Sequence, residues 1–400
     1  METEQIWNLF FDGLTEVCQR ISTGIDEDDF RESIIGKTPS GEKYVLKIVD
    51  NDFTFSEKIE VWKRTVEEYR KLGYYAPRIF TDKEGKFPTV SYQGRKCVAY
   101  AEEFAPYTPV EDRLLELAES AKKTEDAGQE ETAQKAGNAG QEEIAQKAEN
   151  AGQEETAQKA GNAGREETAQ KTENAGQVEA PRAQRKPYEI YYKAMWQMTA
   201  KVAERHFDYT EYPSAWCLFR TFCPSDEMDE VMENALTWKK EVDKFPDEFH
   251  EQAERIFRRW SENREELKKH YDKLPTSVFQ GDLNSTNLLV DEQDRFVGVF
   301  DFNLCGKEVV LNYLFRETHH PEFEKELKMI FDVLEIVREF YHFSEEEKSL
   351  ALSLYRCLIP FGGSKLWRLM ELKNDVSAIR SFLDETEKYQ TMEIDFGKHT

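Results

Sequence analysis

In the first hundred residues apolar positions alternate with polar ones, and beyond residue 186 they recur at three- and four-residue spacing. Alternation is the period of a strand with one buried face; the wider spacing is that of a helix with one buried stripe. FRESIIGKT and EKYVLKIVD flank a PSGE turn and predict a hairpin rich in β-branched and aromatic residues. Ser56 is placed to cap a helix running to about Gly73, in which Ile59, Trp62, Val66 and Tyr69 alternate with Glu57, Glu60, Glu67 and Glu68. KFPTVSYQGRKCVAYAEEF then predicts two more strands around a glycine turn.

The later part of the chain reads as helix. YEIYYKAMWQMTAKVAERHF, DEFHEQAERIFRRWSENREELKKHY, EFEKELKMIFDVLEIVREFYHF and SLALSLYRCLIPFGGSKLWRLMEL all carry the helical period. One strand-like island interrupts them, NLLVDEQDRFVGVFDF, two short strands joined by a polar turn. The pattern predicts an α+β protein with a small β-rich lobe over residues 1–105, a linker and first helix over 106–125, and a large helical lobe over 186–400.

Residues 126–185 fit neither lobe. From Ala127 to Asn174 four twelve-residue units follow in register, AGQEETAQKAGN and its variants, with little beyond alanine and Ile144 to bury. Each unit ends near Asn-Ala-Gly, and glycine costs a helix interior about 1 kcal/mol relative to alanine. The expectation is marginal helix or disorder in an insert outside the folded body.

Composition narrows the classes. A formal net charge of -25 leaves no basic stripe for nucleic acid and leans toward a cationic ligand. No apolar run approaches a membrane span, and the six cysteines are scattered without metal or disulfide spacing. The chain reads as cytoplasmic, with reduced thiols and no membrane or nucleic-acid partner. The adjacent pair His319 and His320 cannot share one face, so no metal site is expected there.

FQGDLNSTNLLVDEQDRFVGVFDFN, residues 279–303, carries the chemistry. Asn287 and Asp301 stand just before and just after the two short strands, where they can present oxygens side by side, as magnesium requires beside phosphate. Asp282 in the loop before them is placed to act as base toward a hydroxyl attacking phosphorus. Singly, each is an ordinary turn residue; the combination is not. Lys47 lies on a strand face with Val45 and Val49, and a lysine there needs a carboxylate partner. Glu60 is the first choice, with Glu67 or Glu68 as alternatives.

GDLNSTNLLVD with GVFDF, preceded by YVLKIV, resembles the aminoglycoside phosphotransferase and choline kinase family, small-molecule kinases of protein-kinase-like bilobal fold. The resemblance implies Asp282 as catalytic base, Asn287 and Asp301 as magnesium ligands, and Lys47 on the α- and β-phosphates, steadied by Glu60. It implies an adenine edge met by backbone near Ala101 and Glu103 in CVAYAEEFAP, ATP or GTP as donor, and a small-molecule hydroxyl as acceptor. Three features depart from the family pattern: Gln280 where the family has His, Asn303 after the metal aspartate, and a phosphate-covering region with one glycine and the acids Asp26 to Asp29. Gln280 and the acidic region motivate a rival reading, a kinase-like binding module without catalysis, tethered by its repeats.

Overall fold

The computed structural model describes residues 1–22, 29–116, 118–119, 187–318, 320, 322–372 and 375–400. The repeat insert and Asp26, Glu27 and Asp28 lie outside the described residues. The chain divides into two compact units, Met1–Pro109 with Tyr191–Thr400, and Val110–Ile190. In the second unit residues 110–116 are helical.

The first unit begins with α1 (Thr3–Phe10), followed by β1 (Glu16–Ser22), β2 (Phe30–Lys37) and β3 (Lys43–Asp50). After α2 (Ser56–Lys71) come β4 (Ile79–Phe80), β5 (Thr89–Tyr92) and β6 (Arg95–Glu103). They form an antiparallel sheet in the order β1-β2-β3-β6-β4, with β5 also on β6. The predicted hairpin is β2–β3, and the β5–β6 turn has Gln93 and Gly94 at positive φ.

The sheet has two distinct faces. Ile34, Leu46, Ile48, Cys97, Ala99 and Ala101 turn one way and pack with Ile6, Trp7 and Phe10 of α1. The residues between them, Lys47 on β3 and Tyr100 and Glu102 on β6, turn toward α2, whose Trp62 ring meets that of Tyr100 edge-on. The predicted stripe Ile59, Trp62, Val66 and Tyr69 is buried, each such side chain contributing about 1.5–3 kcal/mol. Phe55, not Ser56, holds the N-cap position; the Ser56 hydroxyl donates to the Phe87 carbonyl instead.

The helical lobe contains α3 (Pro187–Glu204), α4 (Glu230–Val242) and α5 (His250–Tyr271), and, after the strands described next, α6 (Val310–Arg316), α7 (Phe323–Val337), α8 (Glu345–Leu358), α9 (Gly363–Glu371) and α10 (Val376–Thr391). The stretch read as one helical pattern from Ser349 is two helices, because a short 3-10 turn at Ile359–Phe361 carries Pro360, which cannot donate a backbone bond. Asp229 caps α4 through Met232 N and also meets the buried Arg264 of α5, so one carboxylate ties two helices. Trp238 and Trp260 close on Phe361 at 5.1 and 5.0 Å.

Inside this lobe the strand content exceeds the single island expected. The island is β9 (Leu288–Val290) with β10 (Phe296–Val299), and a two-residue strand, β7 (Thr108–Pro109), pairs with β9. A second pair, β8 (Thr276–Phe279) with β11 (Gly306–Val309), was not expected. Both members are only four residues long and join helices of strong period, so periodicity hides them. Among the described residues no helix is long and apolar enough to cross a membrane.

Candidate active site

β8 delivers the chain to Gln280, Gly281 and Asp282, while the β9–β10 hairpin brackets Asn287 and Asp301. Leu288 pairs with Val299, and Phe300 N donates to the Asn287 carbonyl at 3.1 Å, so Asn287 and Asp301 come to the same end of the hairpin. The other edge of β10 is held by the segment after α2: Tyr75 N donates to the Val297 carbonyl and Val299 N to the Tyr75 carbonyl. Gly298 allows this approach, since a Cβ there would lie 1.9 Å from the Tyr75 oxygen. The sheet lobe and the hairpin therefore share a backbone contact.

Gly281 has φ +94°, and a Cβ on it would stand 2.3 Å from the Leu304 carbonyl oxygen, so the loop requires glycine twice over. Gln280 is fully buried and bonded at both ends. Its Nε2 donates to the Phe300 and Asp301 carbonyls at 2.9 and 2.6 Å, its Oε1 accepts from Asp282 N at 2.6 Å, and its own N–H donates to the Tyr69 hydroxyl of α2 at 3.1 Å. A side chain with both a donor and an acceptor is what this position uses, and glutamine has both.

The Asp282 carboxylate is oriented by two amides. Asn284 Nδ2 donates to Oδ1 at 2.8 Å and Asn287 Nδ2 to Oδ2 at 2.9 Å, with a further Nδ2 contact to the Asp282 carbonyl at 3.1 Å. Burial raises its pKa, the nearby Asp301 charge adds to the rise, and the two amides oppose it. With its amide nitrogen committed to Asp282, Asn287 has its Oδ1 accepting from the Thr286 hydroxyl at 3.4 Å. Asp301 sits at φ +58°, a conformation that aspartate tolerates better than most residues.

Lys47 reaches across from β3. Its Nζ stands 3.4 Å from Asp301 Oδ1 and 3.2 Å from Glu102 Oε2. Burial works against its charge, but Asp301 and Glu102 outweigh burial and hold the ammonium well above the usual lysine range. The expected helix partner is elsewhere: Glu60 is exposed and stands 4.0 Å from Lys63, Glu67 is exposed, and Glu68 pairs with Lys71. The stripe that α2 turns to the sheet is the apolar one, so its glutamates point outward.

The two positions named for an adenine edge lie at the end of β6. Ala101 lies inside the sheet, paired with Leu46 on one side and Phe80 on the other, so its backbone belongs to the ladder. Glu103 N donates to the Arg78 carbonyl, and its carboxylate meets Arg70 at 3.2 Å. The first backbone groups beyond the ladder belong to Phe104 and Ala105. Of the acids near residue 26, Asp29 is described, and it turns to Arg31 and Asn51. His319 lies outside the described residues, and His320 Nδ1 accepts from Glu322 N at 2.9 Å.

Beside Asp282 opens a cavity of about 200 Å³ lined by Trp216, Arg316, Glu317, Glu326 and Lys365. None of these was singled out in the sequence, because they come from four separate segments. Trp216 Nε1 donates to the Gly281 carbonyl at 2.7 Å and its ring carries the Arg316 guanidinium at 3.9 Å. Arg316 pairs with Glu230 and Lys365 with Glu326. Glu317 accepts from Leu283 N, and burial, with the Asp282 charge, pushes its pKa up to about 8.

Among the described residues no group of three or more His, Cys, Asp or Glu is placed to hold a metal ion. Magnesium beside phosphate takes one or two protein oxygens and fills the rest from water and substrate. Asn287 Oδ1 and the Asp301 carboxylate, both hard oxygen donors at one hairpin end, fit that requirement.

A mixed α+β chain in which an antiparallel sheet lobe offers a half-buried lysine to an Asp-Asn-Asp set on a helical lobe has the protein-kinase-like fold. The family found by comparison is the one the motifs resemble: the model of the phosphotransferase enzyme family matches residues 173–311, which contain Asp282, Asn287 and Asp301. That family comprises small-molecule kinases. Solved structures similar to this chain include amicoumacin kinase hAmiN in complex with AMP-PNP, Ca2+ and Ami, 11% identical, covering 100% of this chain and 98% of that one, with a TM-score of 0.46. A microcompartment-associated aminopropanol kinase is 11% identical over 97% of this chain and 94% of that one, with a TM-score of 0.46. An aminoglycoside phosphotransferase from Alicyclobacillus acidocaldarius subsp. acidocaldarius is 11% identical over 98% and 96%, with a TM-score of 0.40. No curated protein matches the chain.

Proposed function

We propose that the chain transfers the γ-phosphoryl group of ATP, with GTP as the alternative donor, to a hydroxyl of a small molecule. The observation that carries this reading is the Asp282 carboxylate, held by Asn284 and Asn287 at the edge of a cavity of small-molecule size. Asn287 and Asp301 would hold a magnesium ion, which neutralises charge on the phosphates when bound. Lys47 supplies a fixed positive charge for the phosphates. Asp282 orients the acceptor hydroxyl and takes its proton at a carboxylate oxygen as the acceptor oxygen bonds to phosphorus. The bond from phosphorus to the bridging oxygen breaks, and the nucleoside diphosphate leaves.

The cavity's charges favour an acceptor that carries an amine. Glu326 is met by Lys365 and Arg316 by Glu230, so Asp282 and Glu317 are the carboxylates left to face a ligand. An ammonium beside Glu317 would restore its charge and draw out the proton that burial keeps there. The bonding of Gln280 supports an enzyme over the rival binding module, because the glutamine holds both sides of the site in place.

The test is nucleoside diphosphate release with ATP or GTP and magnesium over amino alcohols, aminoglycosides, choline and neutral sugars. Release dependent on an amine-bearing acceptor supports the reading in full. Release with neutral sugars alone would overturn the acceptor class, and binding without release from any acceptor would favour the rival.

A further inference from the structure

The partner of Lys47 lies on the sheet. In the β3–β6 register Lys47 is opposite Tyr100 and Val45 opposite Glu102, so Lys47 and Glu102 are diagonal neighbours on one face. Diagonal cross-strand positions lie about 7–8 Å apart at Cα, within reach of two long side chains. The ammonium and carboxylate meet at 3.2 Å, with Glu102 only 6% exposed. The Lys47 ammonium also stands 5.8 Å from the Tyr100 ring centre. On the same face of the sheet, α2 brings the Trp62 ring against Tyr100, with Glu60 outside.

We infer that Glu102 is the positioning residue for Lys47, occupying on a central strand the role that the sequence assigned to a helix glutamate. This rests on the proposed function, in which Lys47 meets phosphate. A partner on β6, bonded to β3 and β4 at this level, does not move relative to Lys47 when α2 shifts. The carboxylate that places the lysine thus belongs to the sheet and not to the helix. Glu102 also keeps Lys47 from resting wholly on Asp301, whose carboxylate is needed for the metal. Without Glu102 the ammonium has one carboxylate left, and it competes with magnesium for it.

The experiment titrates a non-hydrolysable ATP analogue, over a series of magnesium concentrations, into the wild-type chain and into Glu102→Gln, Glu102→Asp, Glu60→Gln, Lys47→Ala and Lys47→Ala/Glu102→Gln. Thermal melting of each confirms folding. The expected result is about tenfold weaker binding for Glu102→Gln, a higher magnesium requirement, partial recovery in Glu102→Asp, no change for Glu60→Gln, and no further loss from Glu102→Gln once Lys47 is absent. Wild-type binding in Glu102→Gln, or an equal loss with and without Lys47, overturns the inference while leaving the function standing. A wild-type chain that binds no nucleotide overturns both.

Discussion

Gln280 Nε2 donates to the Asp301 carbonyl at 2.6 Å, joining the loop that carries Asp282, the proposed base, to the residue that would carry the metal. The same side chain accepts from Asp282 N. Replacing it with Met would leave two carbonyls and one N–H without this partner in a fully buried place, at about 1–3 kcal/mol for each group left unsatisfied. We expect Gln280→Met to lower the melting temperature and most of the turnover, and Gln280→His to retain more of both, since imidazole also donates and accepts. Melting curves and diphosphate release on the two variants check this.

Asp282 and Asp301 should separate chemistry from binding. Asp282→Asn is expected to reduce turnover by about 10²–10⁴ with nucleotide affinity nearly intact. Asp301→Ala should weaken magnesium-nucleotide binding itself. Calorimetric titration beside steady-state kinetics distinguishes the two; equal losses of affinity in both would contradict the division of roles.

Glu317 sets a pH dependence. Its ordinary pKa of 4.5 is pushed up to about 8 in the folded chain, burial being the main cause and Asp282 the next. The folded state therefore keeps a proton that the unfolded chain has lost, so its contribution is complete below about pH 4.5 and declines as pH rises toward 8. The stability difference between wild type and Glu317→Gln, measured by denaturant at several pH values, should shift against the wild type over that window and level off above it. A difference independent of pH would contradict the assignment.

Lys58 of α2 gives the opposite slope. Its ammonium lies 3.2 Å from the Phe222 ring centre and donates to the Phe222 carbonyl at 3.3 Å. Burial lowers its pKa from 10.5 to about 8. The unfolded chain then binds the extra proton between about pH 8 and 10.5, and stability gained from this residue rises with pH across that window. Lys58→Met should remove the rise, again by denaturant titration.

The repeats carry none of the site residues described above. Deleting residues 127–174 is expected to leave diphosphate release within about twofold of the full chain, since the segment supplies none of the groups that bind or react. A collapse of activity would assign the repeats a part in the reaction.

Much of this arrangement was legible in the sequence, for identifiable reasons. The β2–β3 and β9–β10 hairpins are local, so their alternation and turn residues suffice to place Asn287 and Asp301 at one end. The apolar stripe of α2 is legible in its spacing, and it decides against Glu60: a helix that turns Trp62 inward turns its glutamates outward. The signal for Glu102 was present, since Val98, Tyr100 and Glu102 alternate along CVAYAEEF and the acid falls on the lysine's face. Trp216, Arg316 and Glu317 gave no such signal. They meet through β8–β11 pairing and helix packing across some hundred residues of chain, which no local period encodes.

The central claim is that Asp282 takes a proton from an acceptor hydroxyl as phosphate moves. The most direct measurement is diphosphate release across the acceptor panel with wild type and Asp282→Asn side by side. Release that requires an amine-bearing acceptor and disappears in Asp282→Asn is the predicted result. Release that persists in Asp282→Asn at the wild-type rate would contradict it.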